Sequence, residues 1–183
     1  MGTFSGEVIV EIGSDRWEGS SAYFADLANT HDMKFITVDL DPGAELRLRR
    51  TVQPEHTHLV EFVQGEGTTW TKQYQGPSIK VLYLDNFDWD WQTNRNQSMI
   101  QEQISWYKDQ GIVMNNINCQ TAHITQMVNL LPHMSDRCIV CIDDTYEYNG
   151  VFIGKGGAVL PYLLGQHFEI IAARDYGVIL GRR

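Results

Sequence analysis

The stretch Glu7-Val-Ile-Val-Glu-Ile-Gly-Ser-Asp-Arg-Trp-Glu-Gly-Ser-Ser-Ala-Tyr-Phe-Ala-Asp-Leu-Ala28 decides how this chain folds. It opens on an apolar run of strand length, residues 7–12. A polar turn containing Gly13 and Gly19 follows. Phe24, Leu27 and Ala28 then recur at i, i+3 and i+4, the spacing of one helix face, with Ser20 or Ser21 as the expected cap. A strand turning directly into a helix is the repeating unit of a parallel sheet, because parallel neighbours need a crossover.

The same unit recurs along the chain. Residues 34–40 read as the second strand, broken by Asp41-Pro-Gly43, and a helix over 44–52 carries Arg47, Arg49 and Arg50. Residues 58–63, 79–84 and 138–142 read as the next three strands. Residues 86–136 form a long crossover with helical patterns over 95–110 and 119–131, large enough to shape a specific substrate site. Gly154-Lys-Gly-Gly157 reads as a loop starting a helix that runs to about residue 164. Two closing strands flank a turn at 174–177, a link short enough to require an antiparallel hairpin. The expectation is one α/β domain over residues 1–183: a mainly parallel, doubly wound sheet of seven strands with helices on both faces.

Composition narrows the function. The chain has 183 residues, 43% hydrophobic and 20% charged, with a formal net charge of −9. That balance argues against nucleic acid or an anionic membrane as partner, because phosphate contacts need clustered Lys and Arg. Neither a membrane-spanning run nor a signal peptide is visible, so a cytoplasmic protein is expected. Three cysteines give no disulfide framework. Cys138 and Cys141 lie three apart on an expected strand, so they point to opposite faces and read as core.

In open parallel sheets ligands bind at the carboxyl ends of the strands. Every expected parallel strand here delivers an acid to that edge: Glu11, Asp39, Glu66 beside Gly65, Asp85, and the pair Asp143-Asp144. Carboxylates at strand ends call for a cationic or hydroxyl-rich ligand, or a metal. Gly13 permits the first tight turn, but Asp15 and Arg16 stand where a dinucleotide fingerprint would need glycines. Asp39 lies where α/β nucleoside sites hold ribose hydroxyls. A nucleoside with a positive, phosphate-free tail suits this set, and S-adenosylmethionine is such a molecule.

Val10-Glu-Ile-Gly-Ser-Asp-Arg-Trp-Glu-Gly-Ser20 resembles the first motif of class I S-adenosylmethionine-dependent methyltransferases, which have a Rossmann-like fold, and Val38-Asp-Leu-Asp-Pro42 resembles their second. The resemblance implies that Glu11, Gly13 and Ser14, with Asp15, Gly19 and Ser20 in the same motif, form the methionine side. It implies that Asp39 holds the ribose and that Gly65 and Glu66 sit by the adenine. Leu84-Asp85-Asn86 and Ile142-Asp143-Asp144-Thr145 are similar to metal-dependent small-molecule O-methyltransferases of the cephalosporin-hydroxylase and rhamnosyl O-methyltransferase type. That likeness implies Asp85, Asp143 and Asp144 as ligands of Mg²⁺ or another divalent cation, which would orient and acidify a hydroxyl of a small molecule or sugar. The chain departs from the catechol-type pattern, with Asp144 for Asn and Asp88 for a lysine base. His123 and Lys155 are the candidate bases. The chain starts almost directly at the first strand, so the long crossover or a second copy in a homo-oligomer is expected to cover the cofactor.

Blander readings stand beside these. Asp143-Asp144 can cap a turn, Glu55-His-Thr-His58 reads as a surface loop, and His123 can be a packed histidine. Trp89 and Trp91 can form a sugar- or aromatic-binding wall, or a lid on the crossover helices. The competing functions are a non-catalytic binding or assembly protein on the same fold and an NAD-dependent oxidoreductase, the latter disfavoured by the missing glycine fingerprint.

Overall fold

The structure, a computed structural model, describes residues 6–14, 19–91 and 97–182. Strand β1 (Glu7–Ile12) leads into α1 (Ser20–Thr30), then β2 (Lys34–Asp39), α2 (Ala44–Thr51), β3 (Val60–Gln64), α3 (Gly67–Gln73) and β4 (Ser78–Leu84). The crossover supplies α4 (Gln97–Asp109) and α5 (Asn116–Leu130) before β5 (Met134–Ile142). A small hairpin, β6 (Thr145–Tyr148) and β7 (Val151–Gly154), precedes α6 (Val159–Gly165), β8 (Glu169–Arg174) and β9 (Gly177–Arg182).

Seven strands form one sheet in the order β3-β2-β1-β4-β5-β9-β8, with β9 antiparallel to both of its neighbours. The expected fold class is what the chain adopts. Alternate residues of the strands feed two cores. Ile9, Phe35 and Val81 pack with Phe24, Ala28 and Leu48 of α1 and α2 on one face. Val10, Val38, Leu82 and Val140 pack with Met127, Leu130 and Leu160 of α5 and α6 on the other. Burial on both faces explains why the central strands read as continuous apolar runs. No helix among the described residues is long and apolar enough to cross a membrane.

Several local expectations change. The serines at the start of α1 do not cap it; Gly19 holds the cap position at φ 94° without a side-chain bond, and both hydroxyls turn inward. The third strand starts at Val60, because Pro54 initiates a 3₁₀ turn over Pro54–Leu59. His56 in that turn is tied through Nδ1 to Asp26 Oδ1 of α1 at 2.8 Å. Helix α3 and the β6–β7 hairpin were not expected at all. Asn149 (φ 51°) and Gly150 (φ 79°) turn that hairpin, both in the left-handed region that a two-residue turn of this kind requires.

Candidate active site

Backbone bonds carry the sheet one residue beyond its strand ends. Gly13 N–H donates to the Val38 carbonyl (2.8 Å), Gly65 N–H to Asp39 (2.8 Å), Asp85 N–H to Ile12 (2.9 Å) and Asp143 N–H to Leu84 (3.1 Å). The turn residues after the five parallel strands therefore stand in one row. They border a cavity of about 630 Å³, a size suited to a small molecule. It opens where β1 has β2 on one side and β4 on the other, the switch point of the sheet. Gly13, Ser14, Asp39, Gly65 and Glu66 line one end; Asp85, Asp143, Asp144 and Lys155 line the other.

At the first end the turn needs its glycine. Gly13 has φ 94°, and a Cβ there would stand 2.7 Å from Asn86 Cα and from the Asp85 carbonyl carbon. Glycine thus lets the β1 and β4 turns touch. Glu11 does not reach the cavity. It is fully buried behind the turn, accepting hydrogen bonds from Ser20 (2.8 Å), Ser21 (2.7 Å) and Thr37 (2.6 Å). Thr37 in turn bonds the Ser14 hydroxyl at 2.8 Å. Burial pushes the Glu11 carboxyl up to about 7, against the pull of those hydroxyls. Of the first-motif set, Gly13 and Ser14 face the cavity, Glu11 and Ser20 support them from behind, and Gly19 lies off the wall at the start of α1. Asp15 lies outside the described residues.

Asp39 is fixed by backbone amides: Ser14 N–H to Oδ2 at 2.8 Å and Asp41 N–H to Oδ1 at 2.7 Å. It is thereby held at the cavity wall. Arg47 pairs with neighbouring Asp41 at 2.8 Å. Glu66 lines the wall, but its carboxylate caps α3, accepting from the Thr68 and Thr69 amides at 2.7 Å each. Burial raises its pKa; those amides outweigh burial and hold it below the ordinary glutamate value.

At the second end Asp85 and Asp144 meet around an ammonium, with Asp143 lining the cavity beside them. Lys155 Nζ lies 2.6 Å from Asp85 Oδ1 and 3.0 Å from Asp144 Oδ2. Burial works against the charge on Lys155, yet the two carboxylates more than offset it, so its pKa lies above the ordinary lysine value. A lysine held in this way is not a general base, which corrects that expectation. Burial pushes Asp85 up to about 6, lowered by Lys155 and raised again by Asp143. The Tyr83 hydroxyl stands 3.4 Å from Asp85 Oδ2. The carboxylates as arranged do not fit Mg²⁺: among the described residues no group of three or more His, Cys, Asp or Glu side chains could hold a metal ion.

His123 is also corrected as a base. It is fully buried on α5, away from the cavity wall, and its Nδ1 donates to the Cys119 carbonyl at 2.8 Å. Burial pushes its pKa down to about 3, so the ring is neutral.

The crossover roofs the cavity. Trp106 and Tyr107 of α4 line it, and Tyr107 stacks on Phe87 with ring centroids 5.1 Å apart. Phe87 takes φ 63° just past β4, a strained value for an aromatic residue. Tyr176, from the β8–β9 turn, also borders the cavity. Its ring meets Trp91 at 5.4 Å and Tyr146 at 5.8 Å, while Trp91 stacks on Tyr146 at 5.4 Å. Trp91 therefore packs in an aromatic cluster with Tyr146 and Tyr176, Trp89 abuts it edge-on, and neither tryptophan is among the residues lining the cavity. Tyr83, Tyr146 and Tyr176 carried no sequence signal beyond their place near turns.

No protein-family profile and no curated protein sequence matches the chain. Solved structures do. The O-methyltransferase NovP superposes with a TM-score of 0.56 at 16% identity, covering 95% of this chain and 71% of that one. CalS11, described as a TDP-rhamnose 3′-O-methyltransferase of calicheamicin biosynthesis, gives 0.56 at 15% identity, covering 94% and 70%. The S-adenosylhomocysteine-bound methyltransferase PaMTH1 of Podospora anserina gives 0.53 at 12% identity, covering 96% and 70%. A protein proposed to be an rRNA methylase, from Clostridium thermocellum, matches as well (TM-score 0.56, 11% identity, covering 94% and 87%), so the fold by itself does not select an acceptor. Strand order, the position of the cavity and these likenesses agree: the chain has the fold of the S-adenosylmethionine-dependent methyltransferases.

Proposed function

We propose that this chain is an S-adenosylmethionine-dependent methyltransferase acting on a hydroxyl of a small molecule, a sugar or a phenol. The observation that carries the reading is the split of one cavity into two unlike ends. Gly13, Ser14 and Asp39 offer a close backbone approach and an amide-fixed carboxylate at one end, which suits a ribose and a cationic tail. Among the described residues that line the cavity, Lys155 is the basic one, and it is committed to Asp85 and Asp144 at the other end. The cofactor end is thus left electrostatically open to a positive ligand.

The cofactor supplies an electrophilic methyl on a sulfonium. Asp39 accepts the ribose hydroxyls. Asp85, raised towards neutrality by burial, takes the proton of the acceptor hydroxyl. With the cofactor bound, the acceptor oxygen would take the methyl as the C–S bond gives its electron pair to sulfur. Trp106, Tyr107 and Tyr176 hold the acceptor and exclude water.

Calorimetry with S-adenosylmethionine and S-adenosylhomocysteine tests the first half. Binding of both is expected, and binding of neither removes the reading. Transfer of labelled methyl from S-adenosylmethionine to a panel of sugars, phenols, amines and RNA tests the second. Label on amines or RNA in place of hydroxyl compounds would reassign the acceptor.

A further inference from the structure

The acceptor end carries three carboxylates, and its geometry specifies which cation meets them. Lys155 Nζ donates to Asp85 Oδ1 (2.6 Å) and to the Asp85 carbonyl (3.0 Å), and it pairs with Asp144 Oδ2 at 3.0 Å. Lys155 is 2% exposed. Its position is set by backbone. Asp144 (φ 44°) and Gly154 (φ 94°) stand at the two feet of the β6–β7 hairpin, and a Cβ on Gly154 would collide with the Asp144 carbonyl oxygen. Lys155 N–H donates to that same carbonyl at 3.0 Å, and Gly156 N–H donates to Thr145 Oγ1 at 2.8 Å. The hairpin thus fixes the backbone from which this lysine reaches Asp85.

Mg²⁺ needs oxygen ligands at about 2.0–2.1 Å in near-octahedral array. An ion at that distance from Asp85 Oδ1 and Asp144 Oδ2 would overlap the space of the Lys155 ammonium and meet its charge at contact range. We propose that Lys155 is the resident cation of the acceptor site, that it closes Asp85 and Asp144 to divalent ions, and that shortening it uncovers a latent divalent-cation site. Lys155 then acts as a positioning residue, holding Asp85 and Asp144 at fixed angles to the cavity. The corollary that chelators leave methyl transfer unaltered rests on the function proposed above; the cation exchange itself does not.

The test is Mn²⁺ titration of the full chain, with free Mn²⁺ read by electron paramagnetic resonance. Wild type is expected to leave Mn²⁺ free. Lys155→Ala is expected to bind one Mn²⁺ at least about tenfold more tightly than wild type, and Lys155→Ala with Asp144→Asn is expected to lose it. A wild-type Mn²⁺ site that Asp85→Asn abolishes overturns the proposal, and so does a folded Lys155→Ala chain with no gain. Should Lys155→Ala not fold, the comparison of wild type with Asp85→Asn still decides: equal, weak uptake supports the proposal. S-adenosylhomocysteine calorimetry on the same samples keeps the two readings apart. A wild-type chain that ignores both Mn²⁺ and S-adenosylhomocysteine sinks the methyltransferase reading and leaves this one standing.

Discussion

The two ends of the cavity solve the same problem by opposite means. Both place carboxylates at strand ends, where an unpartnered charge is costly. At the β1–β2 end, Glu11 accepts from three hydroxyls and Asp39 from two backbone amides. At the β4–β5 end, Asp85 and Asp144 are satisfied by a buried ammonium. Dipolar partners leave a carboxylate's charge in place for a cationic ligand, whereas an internal cation offsets part of that charge in advance. The difference separates a place for a charged ligand from a place for a polar, uncharged one.

The largest effect should come from the ionic end. Lys155→Met keeps the stem and removes the charge, leaving Asp85 and Asp144 without a cation. Loss of one partner of a buried pair costs about 3–5 kcal/mol, to be read by denaturant unfolding at pH 7.5. The loss should shrink at pH 5, where the carboxylates can take up a proton. A pH-independent loss would show that Lys155 matters for packing alone.

The dipolar end should show a pH dependence of its own. Glu11 has a folded pKa of about 7 against 4.5 for the free group. Its folded form binds the proton more tightly, so its contribution is fully present below about 4.5 and is lost as the pH rises to about 7. The span is on the order of 3 kcal/mol, from about 1.4 kcal/mol per pKa unit. Glu11→Gln should flatten the stability profile across that window relative to wild type. An unchanged slope would place the titration elsewhere.

Gly13→Ala tests how closely the two ends touch. Its Cβ would press on the backbone at Asp85 and Asn86 from a left-handed conformation, so S-adenosylhomocysteine affinity should fall about 100-fold, or ~2.7 kcal/mol. The smallest expected effect is Asp39→Asn. It keeps acceptor capacity for one of its two amides but loses charge-assisted bonds, for roughly a tenfold loss of affinity, or ~1.4 kcal/mol. If Asp39→Asn proved the more damaging of the two, charge rather than backbone approach would govern cofactor binding.

The central sheet was legible because its strands are buried on both faces and so spell apolar runs. Harder to read were segments whose structure depends on a distant partner. Helix α3 is short, and its cap is Glu66, whose carboxylate the sequence offered equally well to a ligand. The β6–β7 hairpin does carry a local signal: Asn149-Gly150 between Thr145-Tyr-Glu-Tyr148 and Val151-Phe-Ile153 is a strong hairpin pattern. In the candidate site, the row of acids was visible as strand-end punctuation, but which of them face the cavity was not. Glu11 and Asp39 follow their strands alike, yet only Asp39 points outward, because Ser20 and Ser21 wait behind the turn for Glu11. Lys155 gave no sign of burial. A lysine among glycines reads as solvated loop, and only the hairpin brings it back to Asp85, seventy positions earlier.

That hairpin has a practical consequence. Its feet are locked by the Asp144 and Lys155 contacts, while at its tip Tyr148 and Val151 are exposed. The tip is therefore a tolerant point for engineering. A dye, an affinity tag or new chain ends from circular permutation could be placed at Asn149-Gly150, outside the cavity wall, to report on ligand capture without entering the site.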